Sequence, residues 1–298
     1  MTNPISVKKR LKNLAENTGR SMTEVLIEYG LERTIYRISI SKYADKFTLK
    51  GGILLYALFD TKFARITKDI DLLAQNLCNE LSNLKSIFLE IFSIDCDDAI
   101  KYELKSLEIS PITEFKKYHG AVIKIIALLD KTRINVSIDL GFDDIVYPNR
   151  SIMNFPVLLN MTMPQIYVYS VYSIIAEKFE VMVSLGNVNS RLKDFYDVYI
   201  LASNYYLKGN DLQIAVLKTF THRHTSFNNI VIFENGFAID TVRKKQWDNF
   251  ILKKRANNKV EFTEVLKIIN KLLYPITLSI NESKDFDKNW SCESKQWE

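Results

Sequence analysis

The chain has 298 residues, 47% hydrophobic and 12% aromatic, enough to bury a full core as two closely packed subdomains. Its 9 glycines and 6 prolines exclude low-complexity linkers, its 3 irregularly spaced cysteines exclude a disulfide framework or zinc knuckle, and no apolar run is long enough to span a bilayer. The net charge of +5 allows a nucleic-acid partner, and an opening that turns basic without an apolar signal region predicts a cytoplasmic protein with no membrane association.

Residues 1–45 read as helical. Val7-Lys8-Lys9-Arg10-Leu11-Lys12 begins a basic amphipathic stretch whose cations serve either RNA phosphate or a solvated helix face. Ser21-Met22-Thr23-Glu24 has the form of a capping box before a helix carrying Val25, Leu26, Tyr29, Leu31 and Ile35. Lys50-Gly51-Gly52 then precedes an apolar run, Ile53 to Phe59, two helical turns long. Glycines there let backbone N–H groups approach an anion, and the helix N-terminus adds a partial positive charge. After a polar connection from Asp60 to Lys68, Asp69-Ile70-Asp71-Leu72-Leu73 reads as a strand with both aspartates on one face. Two carboxylates so spaced suit a hard cation such as magnesium. Taken alone, the same residues also make a buried helix–strand unit with two incidental surface acids.

Asn76 to Phe92 is helical in pattern, and a strand is expected near Ile100 to Leu107. Gly120 to Leu129 and Arg133 to Leu140 read as a hairpin turning at Asp130-Lys131. In its second strand Ile134, Val136, Ile138 and Leu140 share one face and Asn135, Ser137 and Asp139 the other. Beside the strand of Asp69 and Asp71, Asp139 would supply a third carboxylate; elsewhere it is an exposed strand-end acid.

Past Tyr147-Pro148 the texture turns helical. Gln165 to Leu185 is expected as one long, mostly apolar helix with Lys178 between two glutamates, and Gly186 to Ser190 as a loop. Arg191-Leu192-Lys193-Asp194-Phe195-Tyr196-Asp197 opens the next helix, where Lys193, Asp194 and Asp197 lie near one face. A lysine on an apolar helix must reach an acid, a carbonyl or a phosphate. Lys178 is therefore a phosphate clamp or half of a structural Lys–Asp pair, and the choice between Asp194 and Asp197 stays open. Helices are expected from Asp211 to Phe220 and from Phe262 to Leu273, with an irregular basic stretch between them. There Arg243, Lys244, Lys245, Trp247, Lys253, Lys254 and Arg255 fit either an RNA backbone with a stacking ring or a solvated helix with Trp247 in the core. His222 and His224 lack a matching third ligand, so metal binding is not expected there. The polar tail from Ser283 on is expected to fray.

Lys-Gly-Gly at 50–52, Arg65-x-Thr67-x-Asp69-x-Asp71, and the later AEKFEVMVSLG and NSRLKDFYD segments together resemble the AbiEii/AbiGii nucleotidyltransferase toxin family, a branch of the DNA polymerase β-like superfamily. The likeness runs from about Ser6 to Ile280. It implies an α/β (α+β) fold: a nucleotidyltransferase-type mixed sheet flanked by helices over residues 1–160, and a mainly helical domain over 161–298 that contributes to the active site. The implied reaction moves a nucleoside monophosphate from an NTP to an acceptor hydroxyl, with Mg2+ or Mn2+ as cofactor. In that resemblance Asp69, Asp71 and Asp139 hold the metal, Lys50, Gly51, Gly52, Arg65, Thr67 and Lys193 bind the nucleotide, and Lys178 with Asp194 or Asp197 completes the catalytic set. Broader relatives often have Gly-Ser where this chain has Gly51-Gly52, which leaves only backbone donors for phosphate. The resemblance further implies a toxin of a toxin–antitoxin or phage-defence pair, a tRNA 3′ end or other RNA as acceptor, and an antitoxin encoded alongside. Two rival expectations are nucleotidylation of a protein or small molecule, and an NTP-binding interaction protein without catalysis.

Overall fold

A computed structural model describes residues 2–59, 67–112, 120–253 and 260–298. The chain divides into two compact units, Met1–Asp143 with Ser151–Tyr169, and Asp144–Arg150 with Ser170–Glu298. Among the described residues no helix is long and apolar enough to cross a membrane.

The first unit opens with α1 (Pro4–Thr18), capped by the Asn3 side chain, which accepts from the N–H groups of Ile5 and Ser6. The capping box starts α2 (Met22–Ile40): Ser21 Oγ accepts from Glu24 N–H, and Glu24 Oε2 accepts from Ser21 N–H. Buried charge on α2 is matched in full at Arg37, which donates to Asp98 at 2.7 and 3.1 Å and to the carbonyls of Arg33, Ile94 and Ile100. The chain continues through β1 (Phe47–Lys50), α3 (Gly51–Leu58), β2 (Ile70–Ala74), α4 (Leu81–Phe92), β3 (Ile100–Tyr102), β4 (Glu108–Ile112), β5 (Gly120–Leu129), β6 (Thr132–Phe142), β7 (Ser151–Asn154) and β8 (Gln165–Val168).

These strands form one mixed sheet in the order β3-β5-β6-β2-β1-β8-β7, with β4 also on β5. The β2–β6 and β1–β8 pairs are parallel and the others antiparallel. Ile134, Val136, Ile138 and Leu140 face inward as their alternation predicts, and Asn135, Ser137 and Asp139 lie on the more open side. Helix α2 covers the inner face so closely that a Cβ on Gly30 would meet Ile134 Cγ2 at 2.8 Å.

In the second unit α5 (Val171–Leu185), α6 (Leu192–Asn204), α7 (Gly209–His222), α8 (Asn235–Ile239), α9 (Thr241–Lys253) and α10 (Phe262–Asn281) pack around an aromatic core that includes Phe179, Phe195, Phe220 and Phe262. A small sheet of β9 (Leu207–Lys208), β10 (Asn289–Ser291) and β11 (Gln296–Trp297) joins them.

Several expected elements change. The single helix from Gln165 to Leu185 is a strand followed by a helix. Gln165–Val168 pairs with β7 on one side and β1 on the other, and Ser170 Oγ caps α5 by accepting from Ser173 N–H. An apolar run cannot by periodicity alone distinguish a buried strand from a buried helix. The Asn76–Phe92 helix begins only at Leu81, and the Ile100–Leu107 strand ends at Tyr102 before a 3-10 turn. The basic stretch expected to be irregular contains α9, with Trp247 in the core donating to the Val260 carbonyl at 2.8 Å. The polar tail does not fray: Trp290 is fully buried and its indole donates to the Ala202 carbonyl at 2.7 Å.

Candidate active site

Strand register assembles the first cluster. Lys50 on β1 is paired with Asp71 on β2, and Asp71 is paired with Asp139 on β6. Directly opposed residues project from the same face of a sheet, so Lys50, Asp71 and Asp139 form one row across three adjacent strands. All three are half-buried. Lys50 Nζ also stands 5.4 Å from the centroid of the Tyr169 ring. Asp69 lies just ahead of β2, where Thr67 Oγ1 donates to its Oδ1 at 3.0 Å. Arg65 falls outside the described residues.

The Gly51-Gly52 turn closes one end of this row. Gly51 has φ +67°, and a Cβ there would lie 1.9 Å from Asp71 Oδ2. The N–H of Gly52 donates to the same Asp71 oxygen at 3.3 Å. The α3 N-terminus therefore faces a carboxylate, with backbone donors and the positive end of the helix together. Gly51→Ala is expected to cost about 1–3 kcal/mol, because an L-residue is strained at positive φ and its methyl group must displace Asp71. Urea unfolding checks this, and in an Asp71→Ala background the loss should shrink without disappearing, because the remaining Cβ at position 71 would still lie 2.6 Å from the new methyl group.

The donor set fits a hard divalent cation in kind, since Asp69, Asp71 and Asp139 offer only carboxylate oxygens. Among the described residues no three acidic, cysteine or histidine side chains are drawn up as a ready metal cage. Magnesium sites in nucleotide enzymes use few protein carboxylates and complete their coordination with water and phosphate oxygens, so such a cage is not required.

The second cluster belongs to the helical unit. Lys178 Nζ on α5 donates to Asp194 Oδ1 and to Asp197 Oδ2, both at 2.8 Å, and Arg191 Nε donates to Asp194 Oδ2 at 2.8 Å. The aspartates are 2% and 0% exposed. Burial disfavours the Lys178 ammonium, but Asp197 and Asp194 outweigh it and its pKa is raised. Burial likewise opposes ionised Asp194, yet Lys178 and Arg191 hold its carboxyl well below the usual range. Both acids grip the lysine, so geometry does not choose between them. Lys193 is half-buried on the first turn of α6.

Because its folded pKa is depressed, Asp194 contributes stability above the unfolded carboxylate value of about 3.9, and loses it as pH falls towards the folded value. The difference in unfolding free energy between the unmutated protein and Asp194→Asn is therefore expected to be steady near neutrality and to shrink below about pH 4. Urea titrations at stepped pH measure it.

Arg191 and Arg223 were not candidates from sequence. The signal for Arg191 was available in its i, i+3 spacing to Asp194. Arg223, at the end of α7, pairs with Asp144 at 2.8 Å, Glu180 at 2.9 Å and Glu177 at 3.6 Å, and so braces the helix that carries Lys178. No local spacing connects those residues.

Comparison with known families matches residues 33–268 to the family described as nucleotidyl transferase AbiEii toxin, type IV toxin–antitoxin system. The chain matches none of the curated proteins. Among solved structures, JHP933 from Helicobacter pylori has a TM-score of 0.41 at 14% identity, covering 87% of this chain and 97% of that one. An antigenic nucleotidyltransferase-like protein from Paracoccidioides brasiliensis has a TM-score of 0.37 at 16% identity, covering 64% of this chain and 88% of that one.

Proposed function

Because the chain belongs to the AbiEii nucleotidyltransferase toxin family, we propose that it transfers a nucleoside monophosphate from an NTP to an RNA hydroxyl, the 3′ end of tRNA, in the cytoplasm. The observation that carries this reading is the row of Lys50, Asp71 and Asp139 beside the Gly51-Gly52 turn. Asp69, Asp71 and Asp139 would hold magnesium, or manganese in its place, which when bound offsets phosphate charge and lowers the pKa of an attacking hydroxyl.

The chain's own residues divide the remaining work. Gly51 and Gly52 present backbone N–H groups and the positive end of α3 to the NTP phosphates. Lys50 and Lys193 add positive charge for the same phosphates, and Thr67 orients Asp69 through its hydroxyl. Lys178 offsets charge developing on the departing pyrophosphate, and Asp194 and Asp197 hold its ammonium in place. In a type IV pair, or as part of phage defence, this activity would be the toxin's, opposed by a separate antitoxin encoded beside it.

The test is a labelling assay with purified protein, magnesium, total tRNA and each NTP labelled at its α-phosphate in turn. Label on tRNA from one NTP, absent with Asp71→Ala, is the expected result. Label on protein instead would replace the acceptor in this reading, and no label with any NTP would remove its support.

A further inference from the structure

Arg243 reads in sequence as one cation of a basic stretch, but it is only 8% exposed. Its guanidinium lies 3.7 Å from the centroid of the Phe237 ring, and it donates to the carbonyls of Phe237 and Asn187, each at 3.0 Å. A planar fork tied to carbonyls of two separate segments is a strap, and little of it is left to face an RNA backbone. Asn187 lies in the turn between α5 and α6. From that turn a line of hydrogen bonds leads to the buried acids. Asn189 N–H donates to the Gly186 carbonyl at 3.2 Å, and Asn189 Oδ1 accepts from Arg191 N–H at 2.8 Å. Arg191 Nε then donates to Asp194 at 2.8 Å, and Asp194 accepts from Lys178 at 2.8 Å.

We infer that Arg243 is a positioning residue for nucleotidyl transfer: by holding the turn before α6 it aims Arg191 at Asp194 and so sets the carboxylate that grips Lys178. The inference rests on the role proposed above for Lys178 and Asp194. Arg243 touches no reacting group in this scheme and acts wholly through the turn. A shift of the turn would pass to Asp194 along the bonded line, and small misplacements of catalytic groups are costly in rate.

The experiment compares Arg243→Met and Arg243→Lys with Lys267→Met, an exposed position on α10. Transfer kinetics and amide hydrogen exchange at Arg191 and Asp194 are read together, with thermal melts to confirm folding. In Arg243→Met, kcat is expected to fall about a hundredfold with little change in KM for the NTP. The two amides should exchange at least about tenfold faster, and added guanidinium should recover part of kcat. Arg243→Lys, which folds with its charge kept but lacks the planar fork, should be slow as well, and Lys267→Met should match the unmutated protein. Full kcat in Arg243→Met would overturn the inference, as would a loss of kcat with the two amides still protected. If the unmutated protein transfers no nucleotide, the proposed function fails, and the exchange data alone decide whether Arg243 holds the turn.

Discussion

Asp71→Ala is expected to slow transfer by roughly a thousandfold while leaving the fold intact. In the role proposed for it Asp71 holds a catalytic cation, on which several kcal/mol of transition-state charge stabilisation would ride, and each ~1.4 kcal/mol is tenfold in rate, so its loss reaches that scale. Asp71 is central because it has neighbours on both sides of its row, Lys50 on β1 and Asp139 on β6, and because the Gly52 N–H already points at its Oδ2. Its side chain is only half-buried, so the stability cost should stay within about 1 kcal/mol. Single-turnover labelling together with urea unfolding separates the two effects. A variant retaining more than about a tenth of the rate would remove Asp71 from the catalytic set.

Lys178→Met is expected to have the largest effect on stability, about 3–5 kcal/mol, because it leaves buried carboxylates without their shared cation. Both aspartates share in this loss: Asp194 keeps Arg191 at 2.8 Å, and Asp197 is a fully buried carboxylate that loses the adjacent ammonium. Adding Asp197→Asn should therefore recover part of the stability without restoring transfer. Denaturant unfolding of the single and double variants measures the coupling. Additive losses would show that Lys178 and Asp197 do not depend on one another, against the 2.8 Å contact between them.

Local chemistry suffices to fix several elements of the chain. The Ser21–Glu24 capping box, the β5–β6 hairpin and the inward face of β6 follow from residue type and period, because caps, turns and alternation are decided within a few residues. An isolated ammonium on an apolar helix is costly, so Lys178 needs a polar partner, and it has two. Elsewhere burial by distant segments overrides local pattern. Gln165–Val168 is a strand because β1 and β7 flank it, and the polar tail is ordered because Trp290 finds a buried slot and a carbonyl on α6.

The sequence by itself determined the family, through its ordered motifs, and the kinds of charged group available for phosphoryl chemistry. Only the tertiary structure decided which of those groups meet. That Asp139 lies beside Asp71 depends on a parallel pairing of strands more than sixty residues apart, and parallel register is set by the packing of the whole sheet. That Arg243 serves a turn and Arg223 braces a helix depends on contacts between segments distant in the chain, where a buried guanidinium takes whatever carbonyls and carboxylates the packing brings to it.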